Sequence, residues 1–179
     1  MLKYLDPNIV STITPIEINP EDLELIFKSE KPGLEYFKLS KKSGLYSTIL
    51  NKFPEQFHNF INSLCTVGIQ SIDTRFNNYL HTDVATRLYI SNRLSVSNRL
   101  YTINYLLLAG GDNVVTTVFD LASQNMQSYT IPLNTWYLLS THSLYKVEGI
   151  TSIRTEISIN IPIINEEFMS WLNSASFSV

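Results

Sequence analysis

With 179 residues, 44% of them hydrophobic and 12% aromatic, the chain suits one folded domain with a real core, and intrinsic disorder is excluded. Thirteen basic against sixteen acidic residues leave a net charge of −3, which argues against nucleic acid as a partner. Cys65 is the single cysteine, so neither an intrachain disulfide framework nor a Cys-rich zinc site is available, and a reducing compartment fits.

No run approaches the roughly twenty apolar residues of a membrane span. The start, Met1-Leu2-Lys3-Tyr4-Leu5-Asp6-Pro7, lacks the apolar stretch and small-residue cleavage site of a signal peptide. A soluble, cytoplasmic protein with no membrane partner is the expectation. Residues 1–19 carry Pro7 and Pro15 and predict one or two short strands with turns. Asn19-Pro20-Glu21-Asp22 then reads as a helix start: a capping Asn, Pro at the first helical position, acids in the first turn. Leu23, Ile26 and Phe27 follow at helical spacing, and Pro32-Gly33 ends the segment. Residues 37–47 fit no single pattern; their Lys38, Lys41 and Lys42 read as a solvated basic face. A second helix is predicted over 54–65, with Phe57, Phe60, Ile61 and Leu64 on one side and His58 on the polar side.

From residue 66 onward the pattern turns to strands. They are expected over 69–80, 84–90, 99–108, 114–121, 129–133, 136–141 and 150–161, with turns at Gly110-Gly111-Asp112-Asn113 and over 123–128. Ser-Asn-Arg-Leu occurs at 91–94 and again at 97–100, an echo too short to mark an architectural repeat. A closing helix fits 165–172, capped by Asn165 and carrying Phe168, Met169, Trp171 and Leu172. Helices, then seven or eight strands, then a helix predict a mainly β fold, a β-sandwich or jelly roll with supporting helices. One domain is expected over 1–179: mostly helical support in 1–65, a jelly-roll core in 66–161, and a helix and tail in 162–179.

His81-Thr82-Asp83 lies between two of the predicted strands, and side chains two apart on a strand share a face. An imidazole and a carboxylate projecting together are part of a divalent-iron site of the two-His, one-carboxylate kind; a solvated polar strand end is the plainer reading. With His58 set aside, His142 is the remaining histidine that could complete the set. On the strand that follows, Ser152, Arg154, Glu156, Ser158 and Asn160 share one face by parity, and the isoleucines take the other. An arginine inside such a strand calls for an anion, and a planar guanidinium matches a carboxylate. Glu156, on the same face, is one candidate partner.

In order and spacing, His81-x-Asp83, His142 and Arg154 resemble the motif of the Fe(II)- and 2-oxoglutarate-dependent dioxygenases, in their prolyl-hydroxylase-like branch. The similarity spans about residues 67–161 and includes Asp73-Thr74-Arg75-Phe76, Ile103-Asn104-Tyr105-Leu106 and the Gly110-Gly111 turn. The resemblance implies a double-stranded β-helix, the jelly-roll variant of that superfamily. It implies Fe(II) held by His81, Asp83 and His142, and 2-oxoglutarate as cosubstrate, its far carboxylate bound by Arg154 with help from Tyr105 and Ser158. The implied reaction uses O2 to hydroxylate a C–H bond of a peptidyl residue or small molecule, releasing succinate and CO2. Two other readings stay open: a cupin-like metalloenzyme that does not use 2-oxoglutarate, and a non-catalytic β-sandwich binding or structural module. Hydrolase chemistry has no support, since no Gly-x-Ser-x-Gly, His-Glu-x-x-His or phosphate-binding loop occurs.

Overall fold

The computed structural model describes residues 2–13, 18–28, 33–77, 86–90, 93–97, 100–120, 124–140 and 144–178. Thirteen strands and three α-helices occupy them. The strands are β1 (Leu2–Leu5), β2 (Leu23–Lys28), β3 (Leu34–Leu39), β4 (Thr66–Ile72), β5 (Thr86–Ile90), β6 (Arg93–Ser97) and β7 (Tyr101–Ala109). They continue with β8 (Val115–Asp120), β9 (Asn125–Tyr129), β10 (Trp136–Ser140), β11 (Leu144–Glu148), β12 (Arg154–Ile161) and β13 (Ser176–Phe177). The helices are α1 (Gly44–Leu50), α2 (His58–Leu64) and α3 (Glu166–Ser174).

Ten strands form one antiparallel sheet in the order β13-β1-β10-β7-β12-β4-β3-β2-β5-β6, and β11-β8-β9 form a second, smaller one. Both are open, with a first and a last strand that do not meet. The expectation of a double-stranded β-helix or jelly roll is therefore corrected: this is a mixed α/β fold with two open antiparallel sheets and no curled or closed one. The physical reason lies in the N-terminal segments. Strand β1 pairs with β10, Leu2 opposite Leu139, and β3 pairs with β4, Phe37 opposite Ile69. They lengthen the large sheet on both sides of β7, β12 and β4 rather than closing it.

Strand β12 lies centrally, between β7 and β4, and all eight of its residues are buried. Its odd face, Ile157, Ile159 and Ile161, packs with Tyr105, Ile69 and Val67 of the flanking strands and with Phe57, Ile61, Phe168 and Leu172 from the helical side. Phe53, Phe57, Phe168 and Trp171 interlock there at ring separations of 5.0 to 6.3 Å. The even face of β12 looks the other way, toward the small sheet. Leu106, Tyr137 and Leu139 of the large sheet meet Val118 of β8 and Tyr145 of β11 in a second apolar cluster. On β11 the alternation is clean: Tyr145 and Val147 are buried, and Lys146 and Glu148 form an outer ion pair at 2.8 Å.

Several local expectations hold and others shift. Asn165 caps α3, its side chain accepting from the Phe168 N–H at 2.8 Å. The helix predicted over 54–65 is present as a 3-10 turn, Glu55–Phe57, running into α2. The helix predicted from Asn19 stops after one turn: Asn19 and Asp22 form a capping box around Pro20–Asp22, and the chain enters β2. Residues 125–128, expected in a turn, belong to β9, and β11 (Leu144–Glu148) is a strand the sequence did not predict. Among the described residues, no helix is long and apolar enough to cross a membrane.

Candidate functional site

The even face of β12 carries an unusual polar load for a buried strand. Arg154 is 2% exposed and Glu156 5%. The Arg154 Nε–H donates to Glu156 Oε1 at 2.7 Å, and its terminal nitrogen approaches the same oxygen at 2.6 Å. The buried Tyr137 hydroxyl interacts electrostatically with both partners. Burial pushes the Tyr137 phenol far above its ordinary value, and the Glu156 carboxylate adds to the rise. Burial alone would lower the arginine, but Glu156 and Tyr137 more than offset it and hold the guanidinium charged.

Further along the same face, Asn160 donates to the Tyr36 hydroxyl oxygen at 2.9 Å and accepts from Thr102 and Ser158 Oγ at 3.4 Å each. Backbone geometry makes room for this network at two glycines. A Cβ on Gly68 would fall 2.5 Å from the Tyr36 ring and from the Phe37 carbonyl oxygen, so only glycine lets Tyr36 lie across β4 toward Asn160. Gly110, at φ +82°, closes the turn after β7, and a Cβ there would meet the Arg154 Cβ at 2.7 Å. Its carbonyl receives the Thr151 and Ser152 N–H groups at 2.8 Å, which places the entry to β12.

Between the sheets, a cavity of about 20 Å³ remains, lined among others by Gln70, Asn104, Thr116, Arg154 and Glu156. That is room for one water and not for a keto diacid. Thr116 Oγ1 is buried there without a partner among the described residues.

The residues predicted as a site divide among three places. His81, Asp83 and His142 lie outside the described residues. Arg154 and Ser158 share the inter-sheet face, as parity predicts. Tyr105 lies on the opposite face, in register with Ile157 and inside the apolar core. Its hydroxyl accepts from the Ile13 N–H and donates to the Ile13 carbonyl, both at 3.0 Å. No group of three or more His, Cys, Asp or Glu side chains among the described residues could hold a metal ion. The expected cofactor set, Fe(II) with 2-oxoglutarate, is corrected accordingly. The physical reason on the cosubstrate side is that the carboxylate facing Arg154 belongs to the chain itself. His58, read as a bystander, is partly buried, with Nε2 2.8 Å from the Phe53 carbonyl oxygen.

A larger concavity, unmarked by any sequence motif, opens where β1, the segment after it, the 130–135 turn and β13 meet. It holds about 330 Å³, lined by Tyr4, Pro7, Val10, Pro132, Trp136 and Phe177, with Thr12, Thr130 and Thr135 as polar points. Among the described residues its lining carries no carboxylate, basic nitrogen or thiol; its titratable group is the Tyr4 phenol. Its walls are tied down: the Trp136 Nε1–H donates to the Ser11 carbonyl at 3.2 Å, Lys52 Nζ to the Thr12 carbonyl at 2.9 Å, and Tyr105 clasps Ile13. Proline and aromatic residues around a strand end were the available signal, but strands distant in sequence bring them together.

No family model and no curated protein matches this sequence. In structure, the chain is similar at low identity to several solved proteins. An oxidoreductase of the 2OG-Fe(II) oxygenase family from Burkholderia pseudomallei is 12% identical, covering 76% of this chain and 73% of that one, with a TM-score of 0.49. Hydroxypropylphosphonic acid epoxidase from S. wedmorenis is 10% identical over 82% of this chain and 59% of its own length, with a TM-score of 0.44. The 7S globulin of Momordica charantia is 13% identical over 86% of this chain and 36% of its own, also at 0.44. At these values the likeness carries nothing about activity.

Proposed function

We propose that this chain is a non-catalytic β-sandwich module that binds a ligand without transforming it. The observation that carries the reading is the closed ion pair on β12. Arg154, buried on this strand, is neutralised by Glu156 two residues along and lies beside Tyr137. A strand that supplies its own counter-ion has no unmet charge with which to hold an anionic cosubstrate. Among the described residues the larger concavity is lined without a carboxylate, imidazole, amine or thiol, the commonest groups for proton transfer and nucleophilic attack, which supports the same reading.

The test is anaerobic addition of Fe(II) and 2-oxoglutarate, followed by admission of air. The expected outcome is no visible charge-transfer band, no succinate formed, and the same null result for wild type and Asp83→Ala. A band that appears in wild type and disappears in Asp83→Ala, or succinate released on aeration, overturns the reading.

A further inference from the structure

Resting on that reading of a binding module, we infer that the concavity between β1, the 130–135 turn and β13 is the ligand site, and that its ligand is a small, neutral, ring-bearing molecule with a hydrogen-bonding substituent.

Four features select that chemistry. Size comes first: about 330 Å³ falls at the lower end of the roughly 300–1,000 Å³ typical of small-molecule pockets. A protein partner in a stable complex covers about 800 Å² on each side, far more than this concavity presents. Charge is the second. Among the described residues the lining contains no Lys, Arg, His, Asp or Glu, so a charged ligand would lose its hydration with no counter-ion there to replace it. Third, the apolar surface is aromatic and flat. Tyr4 and Phe177, with ring centroids 6.1 Å apart, line it together with Trp136, an aromatic lining suited to a ring, and Pro7 and Pro132 add rigid apolar walls. Thr12, Thr130, Asn134 and Thr135 place a few polar groups among these walls, enough to orient one substituent.

The fourth feature is rigidity. A site assembled from segments far apart in the chain binds well only if it does not have to be assembled anew for each ligand. Here the segment that follows β1 is anchored at three successive residues, Ser11 by Trp136, Thr12 by Lys52 and Ile13 by Tyr105. Tyr105, far from serving an anion, is a positioning residue for the wall of this site. Phe177, which lines the concavity, is also 48% exposed, an apolar surface that a bound ring can cover.

N-phenyl-1-naphthylamine, neutral and fluorescent in apolar surroundings, tests the site directly, with 1-anilinonaphthalene-8-sulfonate as its anionic counterpart. Wild type is expected to bind the neutral probe saturably and one to one, at least ten-fold more tightly than the sulfonate. Thr12→Trp and Thr135→Phe, which fill the concavity from positions that are not fully buried, are each expected to weaken binding ten-fold or more. Phe177→Ala removes the exposed ring and should weaken it several-fold. Leu108→Ala, at an exposed residue on β7 that does not line the site, should leave it unchanged. Circular dichroism and urea midpoints establish that each variant is folded. No saturable binding by wild type, undiminished binding in both filled variants, or equal binding of the sulfonate overturns the inference. The two readings fail separately: succinate release with intact probe binding removes the non-catalytic assignment and leaves the site, whereas absent probe binding with no turnover removes the site alone.

Discussion

A guanidinium that is 2% exposed survives in a protein interior only because a carboxylate and a phenol meet it there. Breaking such a pair is costly, while replacing both members by apolar groups often is not. Glu156→Leu alone should therefore lower the unfolding free energy by about 3–5 kcal/mol, and Arg154→Met alone by a similar amount. The double variant should recover most of the loss, because no unpaired charge remains. Urea denaturation of the four proteins in this cycle measures the coupling directly. If Glu156→Leu is as stable as wild type, Arg154 has another anion and the closed pair is not what neutralises it. Both partners were visible in the sequence through strand parity, which put Arg154, Glu156, Ser158 and Asn160 on one face. Parity alone could not choose between an internal and an external carboxylate, because the choice depends on how closely the second sheet covers the face. Nor could parity relate Tyr105 to Arg154: that relation depends on the register of β7 against β12, which slips by one residue between Thr155 and Glu156.

At the level of single elements, β4 depends on an omission. Gly68 sits opposite Ser158 in a central strand, where glycine is ordinarily a weakness. Its missing side chain is the gap through which Tyr36 reaches Asn160. Gly68→Ala should cost about 1–3 kcal/mol by overpacking, more than an exposed strand glycine would. Pairing it with Tyr36→Phe should leave much of that loss in place, since the ring and the Phe37 carbonyl still block the Cβ. A stabilised Gly68→Ala in thermal melts would show that the ring moves aside freely. Two of the three helices, α2 and α3, were legible from local signals, whereas α1 was not. Asn165 with two acids in the first turn of α3, and the Phe57, Phe60 and Ile61 spacing of α2, are signals held within one stretch of chain. The β2 segment carried an equally good start signal, yet it is strand after Asp22 because pairing with β3 outweighs the local preference.

For the molecule as a whole, the burial of weak acids sets the alkaline limit of stability. Burial pushes the Cys65 thiol up to about 12 from an ordinary 9.0. It likewise raises the phenols of Tyr4, Tyr46, Tyr105, Tyr129 and Tyr137. All of these groups prefer to stay neutral in the fold and ionise more readily once it opens. Their contribution is present in full below the unfolded values and is lost as pH rises through the folded ones. Stability should therefore be level on this account up to about pH 9 and fall progressively toward pH 12, by an amount on the order of a few kcal/mol for the thiol alone. Tyrosine absorbance should show a late, steep phase coincident with unfolding, and Cys65→Ala should make the decline shallower. A smooth titration of every tyrosine near pH 10 in a still-folded protein would contradict this account.

The outer strand order has a temporal side. Strand β1 pairs with β10 and β13, both far along the chain, so Leu2 waits for Leu139 and Tyr4 for Phe177. Closing loops that long is slow, and until it happens the hydrogen-bonding edges of β1 are open to any other strand. The concavity beside β1 cannot form earlier than that pairing. The pairing that completes the ligand's seat thus joins segments far apart in sequence, and a bound ligand would act as a latch between β1 and β13.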